Sequence, residues 1–284
     1  MTPTAATRPF ALLGDPVGHS LSPVFQNAAI RHLGLDAVYV ALRCAADDAP
    51  GLIRSLARAG GGGNVTVPHK QVAARAVDVA SDRVVRTGAC NAFWLADGRV
   101  HGDNTDVAGV DGAIRALLGR SAAGASVLLL GAGGAASAAV CALADAGAER
   151  IVIVNRSPER ASELAERFRT PAVRIDTAAS ADDLPGEQFD LAINSTSLGL
   201  KPGDPLPLDP HASTLTLGAA LDLVYSPGET QWVHQMRVRG IPAADGKEML
   251  IQQGAAAFRH WFGVDAPVDV MRAALRETSG RDAS

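Results

Sequence analysis

Residues 126–147 read SVLLLGAGGAASAAVCALADAG. An apolar, β-rich run at 127–130 passes into Gly131-Ala132-Gly133-Gly134-Ala135-Ala136 and then into a stretch of helical composition. Strand, glycine turn and helix in that order fit G-x-G-x-x-A, an accepted variant of the dinucleotide-binding fingerprint. Each position has a physical reason. Gly131 permits the tight turn, Gly133 lets the backbone approach a pyrophosphate, and Ala136 is small enough for the helix to lie close to the strand. The free N–H groups and the dipole at the helix start, around Ala132, Gly134 and Ala135, then favour an anion. A merely flexible Gly/Ala loop would not need the second apolar run that follows at 151–154.

The end of that second run selects the nucleotide. NAD-dependent enzymes place Asp or Glu there to hold the ribose 2′-hydroxyl. This chain has Asn155-Arg156-Ser157, followed by Arg160. The planar donor fork of Arg156 and the hydroxyl of Ser157 suit a 2′-phosphate. The expected cofactor is therefore NADP(H). The competing reading makes Arg156 and Arg160 solvated residues at a helix start.

Outward from this unit, short β-rich runs at 10–13, 38–42, 64–67, 127–130, 151–154, 191–193 and 221–224 alternate with longer Ala/Leu/Arg segments. Such alternation predicts α/β architecture with parallel sheets covered by helices. CNAFWLADGRVHG (90–102) departs from it, because two apolar runs flank Asp97-Gly98, a hairpin signal. The stretch 201–210 is rich in Pro and Gly and reads as a surface loop; residues 277–284 read as frayed. A boundary is expected near residue 107, where a helical stretch leads into the strand of the fingerprint.

Bulk properties narrow the class. A chain of 284 residues suggests two domains. With 47% apolar and 20% charged residues, a core of ordinary size is expected. The net charge of −4 argues against nucleic acid as a partner. Three cysteines, Cys44, Cys90 and Cys141, lie far apart without a CxxC, which points to a reducing compartment rather than a disulfide framework. No HExxH or Cys/His pairing indicates a metal. The N-terminal residues do not read as a signal peptide, and no apolar run is long enough for a membrane, so the expected location is cytoplasmic.

Four polar motifs lie in the first 106 residues. In GDPVGHSLSP (14–23), Ser20 and Ser22 stand two apart; on an extended chain both hydroxyls would point one way, towards a carboxylate. The plain alternative is a helix cap by Ser22 with Pro23 at the first helical position. In NVTVPHK (64–70), Asn64 and Thr66 would share a strand face with Lys70 just beyond, or the run is only an edge strand ended by Pro68 with a surface lysine. TGACN (87–91) could be only a turn. GDNTD (102–106) could be only the N-cap of the next helix, through Asn104, Thr105 or Asp106.

Taken together, HSLSP, NVTVPHK, GACNAF, GDNTD, GAGGAA, NRSPERA, DLVYSPGET and EMLIQQGAAAF resemble, in this order and over nearly the whole chain, the shikimate dehydrogenase family. The resemblance implies a substrate-binding and catalytic α/β domain from residues 1–106 plus the C-terminal helices of 246–284. It implies a Rossmann-like NADP-binding domain over 107–245, with a cleft between the two. By motif, Lys70 and Asp106 correspond to the catalytic pair. Ser20 and Ser22 correspond to binders of the substrate carboxylate, with Tyr225 at the same end. Thr66, Asn91 and Gln253 correspond to groups on the ring hydroxyls, with Asn64 close by. Gly246 and Met249 correspond to positions lining the nicotinamide, and Leu223 to one near the cofactor. The implied reaction is the reversible, NADPH-dependent reduction of 3-dehydroshikimate to shikimate, on the route to chorismate and the aromatic amino acids. The family contains monomers and homodimers.

This chain departs from the common pattern in places. Residues 60–63 are four glycines where one is usual, Cys90 and Ala92 replace the commoner Val and Thr, and Val107 replaces a common Gly. None removes a side chain given a chemical role. A quinate- or aminoshikimate-acting paralogue is the nearest alternative, although Ser22 and Asn155 favour shikimate. A silent NADP-binding module would have no use for Lys70, Asp106 and the serine pair.

Overall fold

The computed structural model describes residues 2–281 apart from 202 and 227. In chain order the elements are β1 (Arg8–Gly14), α1 (Ser22–His32), β2 (Ala37–Arg43), α2 (Ala49–Arg58), β3 (Gly62–Val65), α3 (Lys70–Ala76), β4 (Val79–Ala80), α4 (Asp82–Thr87), β5 (Ala92–Ala96), β6 (Arg99–Asp103) and α5 (Asp106–Leu118). There follow β7 (Ser126–Leu130), α6 (Gly134–Ala146), β8 (Arg150–Val154), α7 (Pro158–Arg167), β9 (Arg174–Ala178), β10 (Gln188–Phe189), β11 (Leu191–Asn194), β12 (Thr216–Leu217), β13 (Ala220–Asp222), α8 (Gln231–Val238), β14 (Ala243–Ala244), α9 (Lys247–Phe262) and α10 (Val268–Arg281). They form two compact units, residues 1–109 with 250–284 and residues 110–249. Both junctions fall inside helices, α5 and α9, a few residues beyond the sequence boundaries.

The first unit is built on a six-stranded sheet in the order β2-β1-β3-β5-β6-β4. β1 runs parallel to β2 and β3, β5 is antiparallel to both β3 and β6, and β4 runs parallel to β6. The β5–β6 hairpin turns on Asp97 at φ 50° and Gly98 at φ 72°, the left-handed pair that a tight two-residue turn demands. Successive residues of β1 supply opposite faces of the sheet. Phe10 and Leu12 pack with Phe25, Tyr39, Phe258 and Trp261 beneath α1, α9 and α10. Ala11 and Leu13 pack with Ile53, Val65 and Phe93 on the α2 side.

The glycine run gains its reason here. A Cβ on Gly61, Gly62 or Gly63 would lie 1.7, 2.6 or 2.1 Å from the carbonyl oxygens of Pro9, Phe93 and Ala11 respectively. The strand is thus pressed between β1 and β5 at a distance only glycine allows.

The second unit carries a parallel sheet in the order β14-β13-β11-β7-β8-β9, with β10 and β12 paired separately. Leu128, Leu130 and Val152 pack against Trp232, Val233 and Met236 of α8. The chain moves outward from β7 to β8 and β9 on one side and to β11, β13 and β14 on the other, so the carboxyl end of β7 is a topological switch point.

Several sequence expectations change. β3 ends at Val65, leaving Thr66 and Val67 beyond it, because the backbone turns at Pro68. β13 stops at Asp222, short of Leu223 and Val224. The short strands β4, β9, β10, β12 and β14 were not legible, being brief or weakly apolar. Residues 277–281 continue α10 rather than fray; residues 282–284 lie outside the described residues. The stretch 201–210 contains no helix or strand among its described residues, and residue 202 lies outside them. No described helix is long and apolar enough to cross a membrane.

Gly63→Ala is expected to lose about 1–3 kcal/mol of unfolding free energy through overpacking. Gly51→Ala, where an added Cβ meets open space within α2, is expected to be neutral or to gain up to about 1 kcal/mol. Urea denaturation of both variants checks this, and identical midpoints would contradict the close approach of β3.

Candidate active site

Polar groups from three separate stretches converge in the first unit. The backbone brings them together first. The N–H of Thr66 donates to the carbonyl of Leu13 (2.8 Å) and that of Asp15 to Val67 (3.1 Å), so NVTVPHK lies beside the start of GDPVGHSLSP. The N–H of Cys90 donates to the carbonyl of Lys70 (2.9 Å), and that of Asn91 to Asp103 (3.0 Å). Lys70 opens α3, and Asp106 opens α5.

At the centre, Lys70 Nζ donates to Asp106 Oδ2 at 2.5 Å. The other oxygen, Oδ1, accepts from Asn91 Nδ2 at 2.8 Å. Asn91 is itself fixed, since its Oδ1 accepts from the N–H of Thr105 (2.7 Å) and from its hydroxyl (3.0 Å). That orientation leaves the amide nitrogen, and not the oxygen, facing the carboxylate. The Asp106 side chain retains 11% of its exposure, so a charge there depends on these partners rather than on water.

The network extends to Asn64, whose Nδ2 donates to the Asn91 carbonyl (3.0 Å) and whose Oδ1 accepts from Tyr39 Oη (2.8 Å). Burial pushes the Tyr39 phenol up, which keeps it a donor. His69 is buried beside Lys70, with Nε2 2.8 Å from the carbonyl of Cys44. A carbonyl only accepts, so Nε2 carries the proton and anchors the turn that presents Lys70. Cys90 is wholly buried, its thiol pushed up to about 12 by burial, which makes it inert packing rather than a nucleophile. Val107 is a core residue.

The serine pair is neither on extended chain nor a helix cap through Ser22. Leu21 is helical at φ −85° and occupies the N-cap position, so 20–22 is not extended; nor does Ser22 cap α1. Ser20 Oγ accepts from the N–H of Ser22 (3.2 Å), the first residue of α1. In GDNTD, Asn104 Oδ1 accepts from the Asp106 N–H (3.2 Å), while Thr105 is committed to Asn91. Asp103 is held by Ser81 (2.5 Å) and His260 (3.1 Å). Burial acts to raise the Asp103 carboxyl, but bonds from His260 and Ser81 outweigh it and leave the group below its ordinary range.

Thr66 makes no side-chain hydrogen bond among the described residues; its methyl fills the place where a Gly14 Cβ would be, 2.4 Å away. Gln253 is buried and donates to Leu250 within α9 (2.8 Å), not to the Lys70 cluster. Tyr225 lies in the second unit, where burial pushes its phenol up.

In the second unit, Gly131 has φ 107°, and a Cβ there would lie 2.9 Å from Ser195 Oγ. Gly133 caps α6, whose first turn carries no acid; a Cβ on Gly133 or Gly134 meets no atom within 4 Å, so the backbone of this turn is open to a ligand. Ala136 is fully buried, as close helix packing requires. These features fit a dinucleotide pyrophosphate. Beyond β8, Arg156 and Arg160 are exposed and bond to nothing among the described residues. Ser157 donates to Glu159 (2.9 Å), so a carboxylate stands nearer the strand end than Asn155-Arg156-Ser157 alone implied. Leu223 and Gly246 meet closely, with a Gly246 Cβ position 2.4 Å from the Leu223 carbonyl; Met249 follows in α9. Among the described residues no group of three or more His, Cys, Asp or Glu side chains could hold a metal.

Comparison with known proteins agrees along the chain. Family models described as the shikimate dehydrogenase substrate binding domain, shikimate / quinate 5-dehydrogenase and the shikimate 5'-dehydrogenase C-terminal domain match residues 12–93, 115–199 and 246–276. The shikimate dehydrogenase (NADP(+)) of Halobacterium salinarum is 44% identical over 270 residues, covering 94% of this chain and 98% of that protein. The chain belongs to the shikimate dehydrogenase family. Its fold is similar to the Aquifex aeolicus shikimate dehydrogenase (TM-score 0.85, 32% identity, 97% of this chain and 100% of that one). It is also similar to the Thermus thermophilus enzyme solved with NADP(H) and shikimate (TM-score 0.80, 36% identity, 95% and 98%).

Tyr39, the hold of Thr105 on Asn91 and the Ser195 turn escaped the sequence reading. A tyrosine inside an apolar strand run was the available signal for the first, since a buried hydroxyl needs a partner. Tyr39→Phe leaves a buried acceptor on Asn64 without its donor. Unfolding free energy is expected to fall by about 1–3 kcal/mol; a denaturation curve superimposable on the wild type would refute the bond.

Proposed function

We propose that this member of the family interconverts 3-dehydroshikimate and shikimate with NADP(H) as a cytoplasmic enzyme on the route to chorismate. The single observation that carries the reading is the ion pair between Lys70 and Asp106, oriented through Asn91. An ammonium held against a carboxylate is what reduction of a hydroxylated ring ketone requires beside a hydride source.

NADP(H), when bound, supplies the hydride chemistry. The N–H groups of Ala132, Gly133, Gly134 and Ala135 suit its pyrophosphate, with Gly131 making the turn that presents them, and Asn155, Arg156, Ser157 and Arg160 suit its adenosine phosphate. Leu223, Gly246 and Met249 are assigned to the nicotinamide side. Lys70 Nζ polarises the ketone oxygen and gives it a proton as negative charge develops there. Asp106 orients Nζ and accepts a hydrogen bond from the adjacent ring hydroxyl. Asn64, Thr66, Asn91 and Gln253 hold the hydroxyls; the unspent hydroxyl of Thr66 supports this assignment. Ser20, Ser22 and Tyr225 take the carboxylate. The partner is thus a small ring acid, and the chain works as monomer or homodimer. The three cysteines are free and buried, in keeping with a reducing compartment.

The first test follows the NADPH absorbance band on adding shikimate and NADP⁺, with quinate and aminoshikimate as rival substrates. Shikimate is expected to give the highest kcat/KM. Lys70→Ala should lower kcat by about 10²–10⁴-fold while NADPH binding persists; an unaltered kcat would remove the assigned role. The wild type should favour NADPH over NADH, and Arg156→Ala should reduce that preference by about tenfold. Equal use of both cofactors by the wild type would contradict the reading of residues 155–157.

A further inference from the structure

The second unit contains a buried carboxylate that the reaction above does not employ. Asp222 ends β13 and is fully buried. Its register partner across the sheet is Asn194, whose own partner on the other side is Leu130, the residue before Gly131. Three strand ends therefore stand level at the switch point, and Asp222 is the acid among them.

Its oxygens are fully engaged with three different segments. Oδ1 accepts from Asn194 Nδ2 (2.8 Å) and from the N–H of Val224 (3.0 Å). Oδ2 accepts from Thr230 Oγ1 (2.8 Å), and Thr230 also caps α8. Asn194 passes the constraint onward. Its Oδ1 accepts from the N–H (3.0 Å) and the hydroxyl (2.7 Å) of Thr196, and its Nδ2 also reaches the carbonyl of Leu198 (3.1 Å). This is the turn whose Ser195 lies against Gly131. On the other side, Leu223 donates its N–H to Asn194 O and Gly246 donates its N–H to Val224 O, each at 2.9 Å.

No cation pairs with Asp222 among the described residues. Burial raises its carboxyl above the usual range, against the three hydrogen bonds that favour the charged form; nearby Asp245 adds to the rise. A group so unfavourably placed for its own charge acts through what its two acceptors tie together.

We propose that Asp222 is a positioning residue for the dinucleotide. By knotting the turn at 194–198, the backbone at 223–224 and the start of α8, it holds Leu223 and Gly246 in place beside the end of β7. The inference rests on the NADP(H) reading of that region. It requires a hydrogen-bonding group of this shape, not a negative charge. An asparagine can serve, because its oxygen accepts from Asn194 and Val224 while the Thr230 hydroxyl turns to accept from its amide.

The test compares wild type, Asp222→Ala and Asp222→Asn by direct titration with NADPH and by separate KM values for NADPH and shikimate. Asp222→Ala should weaken NADPH binding about tenfold, equal to about 1.4 kcal/mol, and leave the shikimate KM within about twofold. Asp222→Asn should bind NADPH nearly as the wild type does. Should Asp222→Ala fail to fold, Thr230→Val cuts one arm of the knot and Thr230→Ser restores it, and NADPH affinity should follow the hydroxyl. Undiminished NADPH affinity in Asp222→Ala overturns the proposal. So does an Asp222→Asn as weak as the alanine variant, or an equal rise in both KM values. A wild type that binds no NADPH would instead defeat the functional reading itself, which keeps the two failures apart.

Discussion

A carboxylate withdrawn from water must find its stabilisation in the protein, and Asp106 finds it in Lys70 and Asn91. Neither partner is a neighbour in sequence. Lys70 reaches it because His69 is pinned to the Cys44 carbonyl and the Lys70 carbonyl is pinned to the Cys90 N–H. Asn91 reaches it because Thr105, the residue before Asp106, holds the amide from the other side. The ion pair thus rests on the relative placement of three segments, and the six-stranded sheet supplies it. The glycines of β3 belong to the same requirement, since they let Asn64 lie close enough to bond both Asn91 and Tyr39.

Features governed by near neighbours were legible in the sequence. Asp97-Gly98 announced its hairpin because the turn's dihedral angles are a local matter. The glycine fingerprint announced strand, turn and helix for the same reason. What depended on distant partners was not legible. Nothing in HSLSP shows that Leu21 would be helical and that the Ser20 hydroxyl would turn onto the Ser22 N–H. Nothing in GGGGN shows that three carbonyl oxygens crowd β3. The Ser157 hydroxyl looked free until Glu159 folded back onto it. The family resemblance identified Lys70 and Asp106 without explaining them; the contacts through Asn91 and Thr105 do that.

The second unit solves a different problem with related means. A parallel sheet leaves its strand ends exposed as turns, and a nucleotide site there must be both open and firm. Gly133 and Gly134 provide openness, with no atom among the described residues within 4 Å of where their Cβ would stand. Firmness comes from polar groups on the level ends of β11 and β13, where Asn194 and Asp222 bond each other and the turns that follow. In both units a carboxylate gathers donors from separate segments. In the first it also faces an ammonium, which gives it chemistry; in the second it faces none among the described residues, which leaves it structure.

The most direct measurement of the central claim is a double-mutant cycle on kcat/KM with Lys70→Met, Asp106→Asn and the pair combined. If the ammonium and carboxylate act as one device, the combined variant should be little worse than the more damaged single variant. Losses that multiply, so that each substitution costs the same with or without the other, would show two independent residues and contradict the account.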